Sequence, residues 1–318
     1  MKTKILKSSQ IDEAVSFLRN GELVALPTET VYGLAADATN EEAVSKIFSA
    51  KGRPSDHPLI VHLDSFDKVI DWVEEIPDNA KKLADYFWPG PLTLIFRRKK
   101  TVSYLITGGL ETIALRIPKH PIALRVIEKL GTAVAAPSAN AHKRTSPTKP
   151  EHVLKTLSGK IAAIIDGGRC SIGLESTIID ITRTTPIILR PGAITALMIE
   201  QVLNIEIQEQ LEHQEKVPGN MQAHYQPEKP LFLLSIEEIK RRIKQENNVA
   251  IMHYSDITKR KNATHYKMPK DKTEYARVLY ETLYSIDSTY VDKIFVEKPP
   301  FRNEWLDIND RLHKASSK

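Results

Sequence analysis

The residues from Lys51 to His62, Lys-Gly-Arg-Pro-Ser-Asp-His-Pro-Leu-Ile-Val-His, set two cations around a glycine, and Pro54 and Pro58 exclude a helix through the middle. Lys51 offers a point charge and Arg53 a planar fork. Both suit phosphate or carboxylate oxygens, and Gly52 lets a ligand lie close to the backbone. The same composition also describes a solvated basic turn. A second group of candidates recurs where strands end. Hydroxyls and a carboxylate fill Pro27-Thr28-Glu29-Thr30-Val31-Tyr32-Gly33-Leu34, and small residues and hydroxyls fill Pro137-Ser138-Ala139-Asn140 and the stretch through Ser146 to Thr148. Glu175-Ser176-Thr177 opens a further strand, and another runs into Arg190-Pro191-Gly192. Open α/β sheets bind ligands at strand ends, so the recurrence at Thr30, Ser138, Ser176 and Arg190 weighs more than any one of them. Between Thr112 and Pro118 the apolar residues alternate, leaving Arg116 on the face opposite Ile113, Leu115 and Ile117. There it either has room for an anion or serves as an edge-strand charge.

These residues need elements to hold them. Ser9 is positioned to cap a helix over Ile11, Ala14, Val15 and Leu18, with Gly21 to end it. A buried strand, Leu23 to Leu26, delivers the hydroxyl loop. Thr39 or Asn40 caps the next helix, whose stripe of Ala43, Val44, Ile47 and Phe48 leads into Lys51. Strands are predicted at 59–63, 92–96, 112–118, 133–136, 161–165, 178–181 and 187–189, and helices near 69–73, 79–87, 122–130 and 195–203. Trp88-Pro89-Gly90-Pro91 forms a rigid turn in which the tryptophan packs. Residues 206–230 read as a polar linker punctuated by prolines, yet they contain His224-Tyr225, an aromatic pair able to fold back over a cleft as a lid. Beyond, strands at 231–234, 249–253 and 294–296 alternate with a helix begun by the capping box Ser235 to Glu238 and another over 274–284. This predicts a small parallel βαβ domain. Lys240, Arg241, Arg242 and Lys244 read as a solvated face, with RNA contact as the minor alternative.

With 318 residues, the chain is long enough for about two domains. The N-terminus lacks an apolar segment of signal-peptide length, and no apolar run could span a bilayer, which predicts a cytoplasmic protein without membrane contact. Cys170 is the only cysteine, so no intrachain disulfide can form. The net charge of +5 suits anionic small molecules or RNA alike. No Walker loop, Gly-x-Gly-x-x-Gly, His-Glu-x-x-His or Gly-x-Ser-x-Gly pattern occurs. A nucleotide would have to be held in another way, no protein-held metal is expected, and Mg²⁺ would arrive on phosphates.

Taken in order, the motifs resemble the YrdC-like family of threonylcarbamoyl-AMP synthases in its long two-domain form. They are Pro27 to Leu34, Lys51-Gly52-Arg53-Pro54, Pro58 to His62, Trp88 to Thr93, Arg116-Ile117-Pro118, Pro137 to Asn140, Ser146-Pro147-Thr148, Asp166-Gly167-Gly168, Glu175-Ser176-Thr177 and Arg190-Pro191-Gly192. They cover about the first 195 residues; the match of His224-Tyr225 and the trailing unit is looser. The resemblance implies a mixed, twisted α/β sheet around an open basic cavity over 1–205, a linker or lid over 206–230, and a small βαβ Rossmann-like domain over 231–318. It implies condensation of L-threonine, bicarbonate and ATP, with Mg²⁺, to threonylcarbamoyl-AMP and pyrophosphate. The product would serve threonylcarbamoyladenosine formation beside the tRNA anticodon, through downstream transfer proteins and with weak tRNA contact at most. Threonine contacts would fall to Thr30, His62, Arg116, Ser176 and the backbone at Ala136. ATP contacts would fall to Lys51, Arg53, His57, Thr112, Ser138, Ser146 and Arg190, with Tyr225 closing from the linker and Lys51 and Arg53 carrying the catalytic charge. Three positions depart from the family pattern: His57 is commonly asparagine, His142-Lys143 replaces a Ser-Gly pair, and Asn220 stands where methionine is frequent. Two rivals remain. One is a double-stranded RNA or tRNA binding module without catalysis. The other is a carbamoyl-adenylate enzyme with a different acceptor, as in hydrogenase maturation, though acylphosphatase-like and zinc-finger segments are absent.

Overall fold

A computed structural model describes residues 2–210, 217–218 and 223–316. Asn220 and parts of the predicted linker lie outside the described residues. The chain divides into two compact units. The first comprises Met1–His142, Ser146–Ser171 and Glu175–Asn220, and the second comprises Lys143–Thr145, Ile172–Leu174 and Met221–Lys318.

In the first unit the strands are β1 (Lys4–Leu6), β2 (Val24–Leu26), β3 (Gly33–Asp37), β4 (Ile60–His62), β5 (Leu92–Arg97), β6 (Thr112–Arg116), β7 (Val134–Ala135), β8 (Ala163–Ile165), β9 (Thr177–Asp180), β10 (Ile187–Arg190) and β11 (Gln208–Glu209). The helices are α1 (Ile11–Arg19), α2 (Glu41–Lys51), α3 (Asp78–Phe87), α4 (Tyr104–Thr107), α5 (Pro121–Leu130), α6 (Pro150–Leu157) and α7 (Ala196–Leu203). The strands form one mixed sheet in the order β1-β8-β2-β3-β7-β4-β6-β5-β9-β10-β11.

The two faces of this sheet carry different cargo because side chains alternate along a strand. One face presents Ala25, Leu34, Val61, Leu94, Leu115, Ala135, Ile179 and Ile188 to a large apolar core shared with Ile47 of α2, Leu83 of α3 and Ile199 of α7. On the other face, Val24, Ala35, Val134 and Ile165 pack against Val15 of α1 and Val126 of α5. Further along that second face, over β4, β6, β5, β9 and β10, a smaller apolar group (Ile60, Ile95, Ala114, Ile178, Ile187, Leu189, with Val217) lies on the same strands as His62, Arg116, Thr93 and Arg190. Alternation puts His62, Arg116 and Thr93 on the face that α1 and α5 leave to them, and a register shift between Ile188 and Arg190 sets Arg190 opposite Ile178 on the same face.

The structure departs from the sequence reading in several places. Ser9 does not cap α1, whose N-cap is Gln10 without a side-chain bond. Asn40, rather than Thr39, caps α2 by accepting from the Ala43 amide. The helix expected near 69–73 is a 3₁₀ turn over Phe66–Asp71. β6 lies between β4 and β5, so Arg116 is not an edge charge. The start of the predicted linker is a strand: β11 pairs in parallel with β10.

The second unit carries β12 (Leu231–Leu234), β13 (Val249–His253), β14 (Ala263–Lys267) and β15 (Lys293–Glu297), with α8 (Ile236–Arg242), α9 (Lys272–Asp287) and α10 (Leu306–Ser316). The strand order is β12-β15-β13-β14 and every pair is parallel. The capping box is present, with the Ser235 amide and the Glu238 amide each bonded to the other residue's side chain. Among the described residues, no helix is long and apolar enough to cross a membrane.

Candidate functional site

The loop after β2 is shaped by one hydroxyl. Thr28 Oγ1 accepts from the amides of Thr30 (3.1 Å) and Val31 (3.2 Å) and lies 2.8 Å from Thr30 Oγ1. A short loop is thereby folded on itself, and the Thr30 hydroxyl is presented to Arg116. Tyr32 then ties the loop to Asp166-Gly167-Gly168: its hydroxyl donates to the Gly168 carbonyl at 2.8 Å and accepts the Gly167 amide at 3.1 Å. A Cβ on Gly167 would come within 2.5 Å of the Pro27 ring, so glycine is required at that approach.

Arg116 is buried at the end of β6. Its Nη1 donates to Thr30 Oγ1 at 3.0 Å, its Nε to the Gly90 carbonyl at 3.1 Å, and its Nη2 to Glu29 Oε1 at 2.6 Å. Glu29 is itself buried and takes the Lys119 amide on its other oxygen at 3.0 Å. A guanidinium has five N–H donors, so two remain beyond these three, one on each terminal nitrogen. They suit a small carboxylate, with Glu29 fixing the plane of the fork. His62 is in register with Arg116 across β4 and β6. Burial, reinforced by the Arg116 charge, pushes its pKa down to about 3. The ring is therefore neutral near pH 7. Its buried Nδ1 has no hydrogen-bond partner among the described residues. Ala136, whose amide donates to the Ile60 carbonyl at 2.9 Å, completes this group.

Ser176 lies just before β9. Its hydroxyl is 2.7 Å from Thr93 Oγ1 on β5 and accepts from Arg190 Nη2 at 3.0 Å. Arg190, expected at phosphates, is buried at the end of β10. It donates to the Ser176 carbonyl from Nε (3.0 Å) and Nη2 (2.8 Å), and to the Pro218 carbonyl from Nη1 (2.8 Å).

Lys51 ends α2 and is buried. Its ammonium donates to the carbonyl oxygens of Ser138 and Asn140. Burial, then the nearby Arg53 charge, holds its pKa well below the usual lysine range. Arg53 is also buried and donates to the Pro58 carbonyl at 3.0 Å. The two cationic side chains are thus internal, while Gly52 and Pro54 to Asp56 around them are exposed, so a solvated turn describes the backbone of the loop but not its charge. Ser138 is half-buried beside Gly33. Ser146 is fully buried, and its hydroxyl has no partner among the described residues. His57 and His142, both departures from the family pattern, meet edge to face with ring centroids 5.5 Å apart. Thr112 is at the start of β6, opposite Arg97.

Hydrogen bonds and strand register thus connect Thr30, His62 and Arg116 on one side, Ser176 and Arg190 on another, and Lys51 with the Ser138 loop on a third. Tyr225 belongs to the second unit. There it is buried with its ring 4.1 Å from His224 and 6.0 Å from Tyr280, and the Arg311 guanidinium is 5.2 Å from its centroid. Glu29, Thr28, Tyr32 and Thr93 are the site residues to which sequence reasoning gave no role. All four stood inside the ordered motifs; a hydroxyl on β5, the strand beside Arg116's, is the signal that could have found Thr93, whereas Glu29 lies in the loop after β2 where no strand pattern marks it.

A mixed sheet that keeps a buried arginine fork, a neutral histidine and a hydroxyl loop on one face, joined in sequence to a parallel βαβ unit, defines a YrdC-like enzyme with a C-terminal domain. The chain belongs to the Sua5/YciO/YrdC family, and to its threonylcarbamoyl-AMP synthase branch. The family model described as "Telomere recombination" matches residues 16–192, and the one described as "Threonylcarbamoyl-AMP synthase, C-terminal domain" matches residues 194–317. A threonylcarbamoyl-AMP synthase of Bacillus subtilis is 42% identical over 322 residues, covering 96% of this chain and 93% of its own length. One from Pyrococcus abyssi is 41% identical over 317 residues, covering 95% and 93%. The crystal structure of P. abyssi Sua5 complexed with L-threonine superposes with a TM-score of 0.91 at 39% identity, covering 99% of this chain and 98% of that one.

Proposed function

We propose that this enzyme converts L-threonine, bicarbonate and ATP into threonylcarbamoyl-AMP and pyrophosphate, and that the product supplies threonylcarbamoyladenosine formation in tRNA through a separate transfer system. The observation that carries the reading is the Arg116 fork, held by Glu29, Gly90 and Thr30 with two donors left over, beside a neutral His62. The remaining donors fit the threonine carboxylate, and Thr30, Ser176 and the Ala136 backbone are its polar neighbours. Threonine's amine attacks the bicarbonate carbon and water leaves, giving a carbamate. A carbamate oxygen then attacks the α-phosphorus of ATP, the bond from that phosphorus to the bridging oxygen breaks, and pyrophosphate departs. The difficulty is anion meeting anion, so cations fixed beforehand lower the barrier without a nucleophilic side chain. Arg53 is assigned that role as a permanent charge, and Lys51 beside it as a group whose burial disfavours the charged form in the free enzyme and whose charge the incoming phosphates would favour. His57, Thr112, Ser138, Ser146 and Arg190 are assigned to ATP, and the buried, unpartnered Ser146 hydroxyl supports its share of this.

Arg190 bonds the Ser176 peptide, so its part is to hold the threonine-side hydroxyl as much as to meet phosphate. Mg²⁺ would enter on the ATP phosphates and neutralise part of their charge. Among the described residues no group of three or more His, Cys, Asp or Glu side chains could hold a metal ion. A module that merely grips a duplex would need exposed cations, whereas Arg116 and Lys51 are buried. Pyrophosphate release, measured with threonine and bicarbonate omitted in turn, tests the reading. Release is expected only in the complete mixture, and an equal rate without threonine would overturn it.

A further inference from the structure

The second unit is not drawn from the C-terminal part of the chain alone, since it takes in Lys143–Thr145 and Ile172–Leu174. Each short segment adjoins a residue of the candidate site through the peptide chain. Thr145 precedes Ser146, and Leu174 leads into Glu175 and Ser176. Within the unit, α9 holds both segments. Toward its C-terminal end, the buried hydroxyl of Tyr284 donates to the Thr145 carbonyl at 2.7 Å. That carbonyl and the Ser146 amide belong to one planar peptide group, so fixing the oxygen fixes the plane from which Ser146 departs.

The rest of the segment is held by main-chain bonds. The Thr145 amide donates to the Gln226 carbonyl at 3.2 Å, and the Gln226 amide to the Lys143 carbonyl at 2.8 Å. Toward the first half of α9, Gly173 adopts φ 87° and lies against the helix backbone. A Cβ there would stand 2.7 Å from both the Cα and the carbonyl oxygen of Arg277, and 2.8 Å from the Ala276 carbonyl oxygen. Left-handed backbone and absence of space are two separate demands for glycine at that position.

We propose that α9 is a positioning element for the two stretches of chain that carry Ser146 and Ser176, with Tyr284 and Gly173 as its positioning residues. The functional part of this rests on the assignment of Ser146 to nucleotide and Ser176 to threonine made above; the anchoring does not. A contact hydroxyl has to be held to within about half an ångström, and neither serine can be so held if the peptide beside it drifts.

Tyr284→Phe and Gly173→Ala in the full chain test it, by hydrogen–deuterium exchange and by separate titrations with Mg-ATP and with threonine. Tyr284→Phe keeps the ring and removes only the hydroxyl. It is expected to raise exchange over 143–148 and to weaken ATP about tenfold, the order expected when a buried carbonyl loses its donor, with threonine affinity unchanged. Gly173→Ala is expected to raise exchange over 171–177 and to weaken threonine more than ATP. If Gly173→Ala does not fold, Tyr284→Phe decides alone. Unchanged exchange over 143–148 in Tyr284→Phe would overturn the proposal. So would equal weakening of both ligands in both variants, which is general loosening. Wild-type protein that binds neither ligand, while exchange responds as expected, would overturn the assignment of the serines and support the anchoring.

Discussion

Arg116 carries two demands at once, because it must hold Glu29 and still have donors to give. The bond to Glu29 stabilises the fold only while both partners are present, since a buried carboxylate without its cation costs several kcal/mol. Arg116→Lys keeps a positive charge and gives up the planar fork. It should lower threonine affinity by about 1.5 to 3 kcal/mol, the worth of a hydrogen bond to a charged group, as read by calorimetric titration. Unchanged affinity would move the carboxylate elsewhere. His62 makes a separate prediction. Its folded pKa, about 3, lies below the ordinary histidine value near 6.5, so the unfolded chain binds a proton between those values that the folded protein refuses. The stabilisation is complete above about pH 6.5. It is lost as pH falls toward 3, at about 1.4 kcal/mol per pH unit. Urea unfolding at pH 6.5, 5.5 and 4.5 should show the wild type losing stability faster than His62→Gln by that slope. Parallel losses would mean that the ring is not buried neutral.

At the level of elements, the site depends on which face each strand gives to the uncovered side of the sheet. Thr93 is the clearest case: β5 brings its hydroxyl to Ser176 at the head of β9, where it shares a bond of 2.7 Å. Thr93→Val should cost about 1 to 2 kcal/mol of stability by denaturant unfolding and weaken threonine binding, because the valine keeps the volume and loses the bond. Equal stability would mean that Ser176 finds its support elsewhere. The sequence made Arg116 legible because isoleucine and leucine alternate cleanly around it. It did not make Thr93 legible, because Leu92-Thr93-Leu94-Ile95-Phe96 is apolar on both faces, with Ile95 packing on the same side as Thr93. β3 was hidden in the same way, since Gly33-Leu34-Ala35-Ala36 reads as a continuation of the hydroxyl loop until its pairing with β2 and β7 is seen. β14, Ala-Thr-His-Tyr-Lys, is a half-exposed edge strand without the apolar run that marks its neighbours. Ser9 failed as a cap because a propensity cannot say which residue will stand at the boundary, and Gln10 stands there.

For the whole molecule, the ordered motifs made the family legible over most of the first unit, because most of them mark strand ends on one sheet and the rest are loops at helix ends. The partition of the chain was not legible. Segments 143–145 and 172–174, which look in sequence like loops of the first unit, belong with residues 221–318, and β11 extends the first sheet into what reads as linker. Such assignments depend on contacts far apart in sequence, to which local composition is blind. In the proposed reaction, carbon from bicarbonate and threonine both end on AMP. Incubation of the full chain with Mg-ATP, threonine and ¹³C-bicarbonate, followed at once by mass spectrometry, tests it directly. A threonylcarbamoyl-AMP species one mass unit heavier than its unlabelled counterpart is expected, absent when threonine is left out. AMP and pyrophosphate formed without any labelled adenylate would contradict the proposed reaction.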